Sequence, residues 1–420
     1  MHLSLIEFPL DPLLQVLLLF AVIILASKAG GALSKLLGQP AVLGELLVGL
    51  ILGPTVLDMM NWAPFTEHEL LEGLVHYLAE IGVIFLMFLA GLETDLKEMK
   101  RVGLAAFTGA TGGVALPFIL GTLISRYIGG YEWFESVFVG TILTATSVSI
   151  TAQTLLEMGK LKSKEGTTVL GAAVVDDVMG IVILSVVVAL HGGGAGAASA
   201  PVWWVIVKMV LFFAVGIVLG NYLVPRLLRW AAKWQGTETM FAMAIVLGLV
   251  FAFFAEAFGE VAAITGSYLA GVLIAQHADL SHEVVDKLSV TAYGFFVPVF
   301  FVSVGLQADA VSALLANPVL ALWLVLAAIV GKLLGSGLGV KLVGFNTMES
   351  IRVGTGMISR GEVALIVSNI GLAAGVISPD IYSVMVIMTL VTTLVTPILL
   401  RIVFRSGPEG LPDAASSSRV

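Results

Sequence analysis

The sequence predicts an all-α membrane protein that crosses the bilayer about thirteen times. Three observations predict it. Of the 420 residues, 58% are hydrophobic and only 12% charged, and the mean hydropathy is +1.04. A water-soluble chain carries about 25% charged residues, so most of this surface must meet lipid. Apolar runs of about 20 residues recur along the whole length, as many as a helix needs to cross a hydrocarbon core of about 30 Å. Aromatic residues do not alternate with polar ones in segments of about ten, the pattern of an outer-membrane barrel.

Charged residues and Gly/Pro clusters delimit the spans. Those of the first half cover roughly 12–36, 40–57, 71–92, 102–127, 135–157 and 166–190; those of the second cover roughly 201–228, 239–257, 261–276, 288–306, 318–343, 350–374 and 380–404. The first follows Glu7 and Asp11 with no Lys or Arg before it, which does not suit a cleaved signal peptide, so it reads as a retained helix ending near Lys35. The second opens at Pro40. The third ends ahead of Lys97, Lys100 and Arg101, and the fourth runs to Arg126. Lys160, Lys162 and Lys164 separate the fifth from the sixth. The glycine-rich stretch from His191 to Pro201 reads as a flexible outer linker to the seventh, without the strand-to-helix context of a phosphate loop. Arg226, Arg229 and Lys233 close the seventh; the eighth and ninth follow, and Lys287 precedes the tenth. Lys341 and Arg352 lie between the eleventh and twelfth, and Arg401 and Arg405 end the thirteenth. The tail from Ser406 is polar and is expected to be disordered and cytoplasmic.

With the amino terminus outside, all these cations except Arg126, together with Arg419, fall on the inner face. One helix too many or too few would send every later loop to the other side, so an odd count with a cytoplasmic carboxyl terminus follows. The formal net charge of −8 says less than this placement. The absence of cysteine excludes disulfides, thiolate metal ligands and thiol nucleophiles.

Few ionisable residues remain at membrane depth, where a charge is costly and by default functional. Asp176 and Asp177 lie within Gly171-Ala-Ala-Val-Val-Asp-Asp-Val-Met-Gly180, midway along the sixth span. Two carboxylates there cannot both be ionised cheaply, so the pair is suited to exchange protons for a cation. Adjacent helix positions differ by about 100°, so one side chain can meet an aqueous cavity while the other meets protein. A purely structural ion pair is the weaker reading, because packing does not call for two consecutive acids in so apolar a helix. Lys332, in the eleventh span, needs an anionic partner or must lose its proton, and either aspartate is a candidate. Gly331, Gly335 and Gly339 beside it form a smooth face for close helix packing.

Two further spans read as interrupted: Thr144-Ala-Thr-Ser-Val-Ser-Ile-Thr151 in the fifth and Gly354-Thr-Gly-Met-Ile-Ser-Arg-Gly-Glu362 in the twelfth. Broken helices in both halves of a membrane chain point to a substrate site, because unwound backbone is tolerated only beside a cavity. Thr146 and Ser147 offer hard oxygens for a small cation, or bond back to their own backbone; the sequence leaves both open. Arg360 and Glu362 read as a structural or gating pair, since a guanidinium repels cations. Glu45 lies about one turn inside the second span, lining an inner funnel or snorkelling to the interface. Lys28, Lys208 and Glu256 have no assigned role. An intramembrane aspartyl protease needs its acids on separate facing helices, so no catalytic residues and no enzyme are expected.

At these residues the chain resembles the monovalent cation:proton antiporter superfamily, specifically the bacterial sodium/proton antiporters of its second group. Pro40-Ala-Val-Leu-Gly-Glu-Leu-Leu-Val-Gly-Leu-Ile-Leu-Gly-Pro54, Leu78-Ala-Glu-Ile-Gly-Val and Phe88-Leu-Ala-Gly-Leu-Glu-Thr-Asp95 are similar to that group's second and third helices. Thr146-Ser147, Asp176-Asp177, Lys332 and Arg360-Gly-Glu362 follow in its order, over nearly the whole chain. The resemblance implies a homodimer with inverted repeats and two crossed broken helices, in the inner (plasma) membrane among its lipids. It implies a single transmembrane unit over 1–405. Within it a core domain, approximately 71–190 and 288–374, moves like an elevator against a dimerisation domain, approximately 12–57, 201–276 and 380–404; 406–420 is the tail. Two adjacent aspartates imply electrogenic exchange of sodium or lithium for protons in the service of pH homeostasis. Asp177 is then the principal, transient cation ligand, helped by Asp176, Thr146 and Ser147, with Asp176 paired to Lys332 when no cation is bound. No cofactor and no nucleic-acid partner is expected. The nucleotide-sensing domain of related potassium efflux systems is missing from this chain, although potassium/proton exchange stays a rival, as does, more remotely, an organic-anion symporter or sensor on a related fold.

Overall fold

In lipid every backbone N–H and C=O must find its partner inside the protein, and helices do this within one segment. The computed structural model describes residues 10–94, 96–190, 202–234, 237–306 and 317–405, without the side chains of 96, 185, 188–190, 202, 278–282, 362 and 373. The glycine-rich linker and the tail from Ser406, and the side chain of Glu362, thus lie outside the described residues. No strand occurs among those described.

The first half runs α1 (Pro12–Leu36), α2 (Ala41–Leu52), α3 (His68–Leu92), α4 (Leu96–Tyr127), the pair α5 (Trp133–Thr144) and α6 (Val148–Glu157), then α7 (Lys164–Leu190). The second runs α8 (Val202–Ala231), α9 (Thr239–Ala257), α10 (Ala263–Ala275), and α11 (Ala278–Thr291) leading into α12 (Val297–Leu306). It closes with α13 (Pro318–Lys341), the pair α14 (Thr347–Gly356) and α15 (Glu362–Ala373), and α16 (Pro379–Arg405). Ten spans are long and apolar enough to cross a membrane, and three shorter apolar helices, in α2, α10 and α15, bring the described passes to thirteen. The chain is a multi-pass membrane protein.

Local chemistry starts several helices. Asp11 accepts from the Leu13 N–H at 3.1 Å ahead of Pro12, and Asn317 accepts from Leu320 N–H at 3.1 Å ahead of Pro318. Asn346 and Glu349 form a reciprocal capping box at α14. The predicted tenth span departs from a simple helix. It begins earlier, at α11, and a π-helical turn at Ala292–Phe296 joins α11 to α12. In that wider turn the Tyr293 carbonyl accepts from Lys28 Nζ at 2.7 Å, a role for Lys28 that its sequence position does not suggest.

Small residues set the closest helix contacts. A Cβ on Gly335 would lie 2.2 Å from the Gly112 carbonyl oxygen, so α4 and α13 touch backbone to backbone. A Cβ on Gly91 would lie 2.2 Å from the Tyr268 oxygen, which does the same for α3 and α10. α16 packs along α13, α14 and α15, while α10 packs along α3 and α9. Helix ends that the sequence assigns to one face are joined by ion pairs: Lys164 with Glu349 at 3.0 Å, Glu165 with Arg352 at 2.7 Å, and Lys162 with Glu93 at 3.7 Å.

Candidate functional site

α7 carries its two acids into the middle of the bundle on different sides of the helix. Asp176 is sealed, with 2% of its surface exposed, and accepts from Lys332 Nζ at 2.7 Å. Lys332 is itself fully buried on α13. The ammonium supplies the compensation without which a buried carboxylate would be prohibitively costly.

Asp177, about 100° further round the axis, is only half-buried, and its Oδ2 accepts from Thr265 Oγ1 at 3.0 Å. Both aspartates line a cavity of about 50 Å³, walled by Thr141, Thr144 and Ala145 at the end of α5, by α7 beyond Gly180, and by Val363 and Val367 of α15. One water needs about 10–15 Å³ of such space, so the cavity accommodates a small ion with part of its hydration shell. A larger cleft of about 460 Å³ between α8 and α9 is apolar; Lys208 at its margin is held by Glu260 at 2.9 Å. Among the described residues no group of three or more His, Asp or Glu could hold a metal ion.

The two broken helices meet at their breaks, residues 145–147 and 357–361. Ser147 N–H donates to the Ser359 carbonyl at 2.8 Å, and Ser359 Oγ donates back to the Ser147 carbonyl at 2.6 Å. Thr151 Oγ1 donates to the Gly356 carbonyl at 2.7 Å. Arg360, fully buried, donates through Nη2 to the Leu143 carbonyl at 2.8 Å and through Nη1 to that of Ile358, and its own carbonyl accepts from Thr393 Oγ1. One guanidinium thus serves carbonyls freed at both breaks, which unwound backbone at this depth requires. Thr146 Oγ1 is buried at the first break and has no hydrogen-bond partner among the described residues.

Of the residues singled out from the sequence, Asp176, Asp177 and Lys332 come together, and Arg360, Thr146 and Ser147 gather at the crossed breaks. Glu45 lies apart from both groups, buried on α2 with one oxygen 3.8 Å from Lys28. Two hydroxyls near the aspartates escaped the sequence reading. Thr141, which lines the cavity, stands within a helical turn of the interrupted segment that Thr144 opens, a usable signal; Thr265, bonded to Asp177, is an isolated hydroxyl 88 residues from its partner and gave none.

Residues 17–406 match the model of a family described as sodium/hydrogen exchanger, transmembrane. The Na(+)/H(+)-K(+) antiporter GerN of Bacillus cereus is 40% identical over 390 residues, covering 91% of this chain and 95% of the relative. The high-affinity Na(+)/H(+) antiporter NhaS3 of Synechocystis is 35% identical over 433 residues, covering 94% and 91% respectively. Among solved structures, the sodium proton antiporter MjNhaP1 of Methanocaldococcus jannaschii superposes with a TM-score of 0.68 at 16% identity, over 94% of this chain and 99% of that one. That likeness is one of fold.

Proposed function

This chain belongs to the sodium/hydrogen exchanger family, and we propose that it is a secondary antiporter that exchanges sodium or lithium for protons, electrogenically, with Asp177 as the principal cation ligand. The observation that carries the reading is the unequal setting of the two acids at one cavity: Asp176 is 2% exposed and held by Lys332, while Asp177 is half-buried. A cation entering the cavity competes with protons for Asp177 oxygens and draws an Asp176 oxygen away from Lys332, which then gives up its proton. Thr146, whose buried hydroxyl has no partner among the described residues, and Ser147 complete the oxygen set. A site neutralised by protons or by a cation crosses the membrane; the bare charged site is held back by its desolvation. Arg360 and Glu362 keep the crossed breaks in register, and Glu45 lines the inner approach. The coupling needs no cofactor.

The crossing movement is an elevator displacement of a core against a dimerisation unit in a homodimer of the plasma membrane. Packing supports a border other than the one expected from the sequence: α16, which packs along α13 to α15, is assigned to the core instead of the dimerisation unit, and α3, which packs along α10, to the dimerisation unit instead of the core. With the amino terminus outside and the carboxyl terminus cytoplasmic, the cavity, lined by α7 beyond Asp177, lies toward the outer face. The name of the Bacillus cereus relative favours a second reading in which potassium also serves as substrate.

Proteoliposomes holding the purified chain test both. Sodium or lithium gradients are expected to drive proton movement, and Asp177→Asn to abolish it; full sodium-driven flux in that variant rejects the ligand assignment. Titrating the flux with potassium decides the second reading.

A further inference from the structure

The hydroxyl on Asp177 comes from the opposite unit. Thr265 opens α10, which packs along α3 and α9 and not along α7. Its place is rigid: a Cβ on the adjoining Gly266 would lie 2.3 Å from the Phe251 carbonyl oxygen, so the start of α10 is pressed against α9. Thr265 is itself 4% exposed, and Ala262, which caps α10, lines the cavity that both aspartates border. From this we infer that Thr265 is a face-specific part of the cation site: it donates to the ionised Asp177 when the cavity lies on this side, and parts from it when the core moves.

The consequence rests on the exchanger reading and deepens it. On this face the hydroxyl lies 3.0 Å from an Asp177 oxygen, beside the cavity that the cation enters. Thr265 also keeps two lone pairs, so its oxygen can ligate the arriving cation. On the other face Asp177 lacks this partner. One fixed hydroxyl thereby gives the same carboxylate a different oxygen set for the cation on the two sides of the membrane. Asp177 adjoins Asp176 on its own helix and interacts with Lys332 on α13. The sequence has none in α4 between residues 102 and 125, in α5 between 136 and 144, or in α6 between 148 and 156. α14 brings Glu349 and Arg352, engaged with Lys164 and Glu165 at the start of α7, and α8 brings Lys208, engaged with Glu260.

Oriented proteoliposomes of the full chain, with sodium and pH varied on one face at a time, test this for wild type, Thr265→Val and Thr265→Ser. For Thr265→Val the apparent sodium KM at the outer face is expected to rise about tenfold, the scale of one hydrogen bond to a charged group. The KM at the inner face stays unchanged, and Thr265→Ser restores the outer value. Equal shifts on the two faces, or none, overturn the inference while exchange by the wild type stands. No cation-driven proton movement by the wild type overturns the exchanger reading and this inference with it.

Discussion

Replacing Lys332 with Gln removes the ammonium from a carboxylate with almost no access to water. At 2.7 Å two unit charges attract by about 6 kcal/mol at an effective dielectric of about 20. Taking both ions out of water offsets several kcal/mol of that, so the pair as a whole adds little net stability. Losing one partner is different, because it strands Asp176 in the bundle and costs about 3–5 kcal/mol. Asp176→Asn strands the ammonium instead, at a similar cost. The double change leaves two neutral amides in place of the charges, with Gln one bond shorter than Lys, and is expected to recover much of the loss. Thermal unfolding of the four detergent-purified proteins closes the cycle. A double variant whose midpoint falls by the sum of the two single shifts would show that the residues are uncoupled and refute the ion pair. In transport, Lys332→Gln is expected to keep sodium-driven proton movement but to lose the net current on a supported membrane, since the proton that Lys332 releases no longer travels. An undiminished current refutes that role.

Two further changes probe the scaffold. Arg360→Lys keeps the charge but not the fork that reaches the Leu143 and Ile358 carbonyls; it is expected to lose at least about 3 kcal/mol, two hydrogen bonds from a charged donor, with a lower unfolding midpoint and no exchange. Wild-type stability in that variant would remove Arg360 from its bridging role. Burial pushes the Glu349 carboxyl up, but the Asn346 backbone N–H and the ammonium of Lys164 outweigh it and hold the group below its usual value of 4.5. A lowered value in the folded state means that this contribution to stability is present above 4.5 and is lost as pH falls through the folded value. The unfolding midpoint of Glu349→Gln is therefore expected to fall less than that of wild type on acidification below the usual carboxylate range; identical pH slopes refute the contribution.

The passes and the two interruptions were legible because membrane depth imposes a strict rule: apolar runs end at charge, and hydroxyl- or glycine-dense stretches stand out against them. Asp176, Asp177 and Lys332 were visible for the same reason, as charges against an apolar background. Which aspartate meets Lys332 was given by the family resemblance and not by the residues themselves. The angle between adjacent positions is fixed by the helix, but the direction in which the helix is turned is set by its neighbours, here α4, α5 and α8. Thr265 was hidden because a lone hydroxyl in an apolar helix ordinarily bonds to its own backbone. Lys28 was hidden because its acceptor is a main-chain carbonyl in a π-turn. The pairs Lys164–Glu349 and Glu165–Arg352 were readable as loop charges of one face, though not as partners.

The glycine face of α13 and the ion pair, separate features in the sequence, are one device in the fold. α13 and α7 scarcely pack on each other; α4 packs along both. Lys332 must therefore reach Asp176 past α4, and it does so where α4 carries Gly112 and Gly113. Gly112 lets α13 approach until the backbones touch at Gly335, and a Cβ on Gly113 would lie 2.1 Å from Ser336 Oγ and 3.5 Å from Lys332 Cδ. A side chain at Gly112 would hold α13 off, and one at Gly113 would collide with Ser336, one turn along α13 from Lys332, lengthening a 2.7 Å contact whose value falls steeply once the charges separate in so dry a setting. The small residues that look like plain packing thus decide whether a charge on one helix can compensate a charge on another that it does not adjoin.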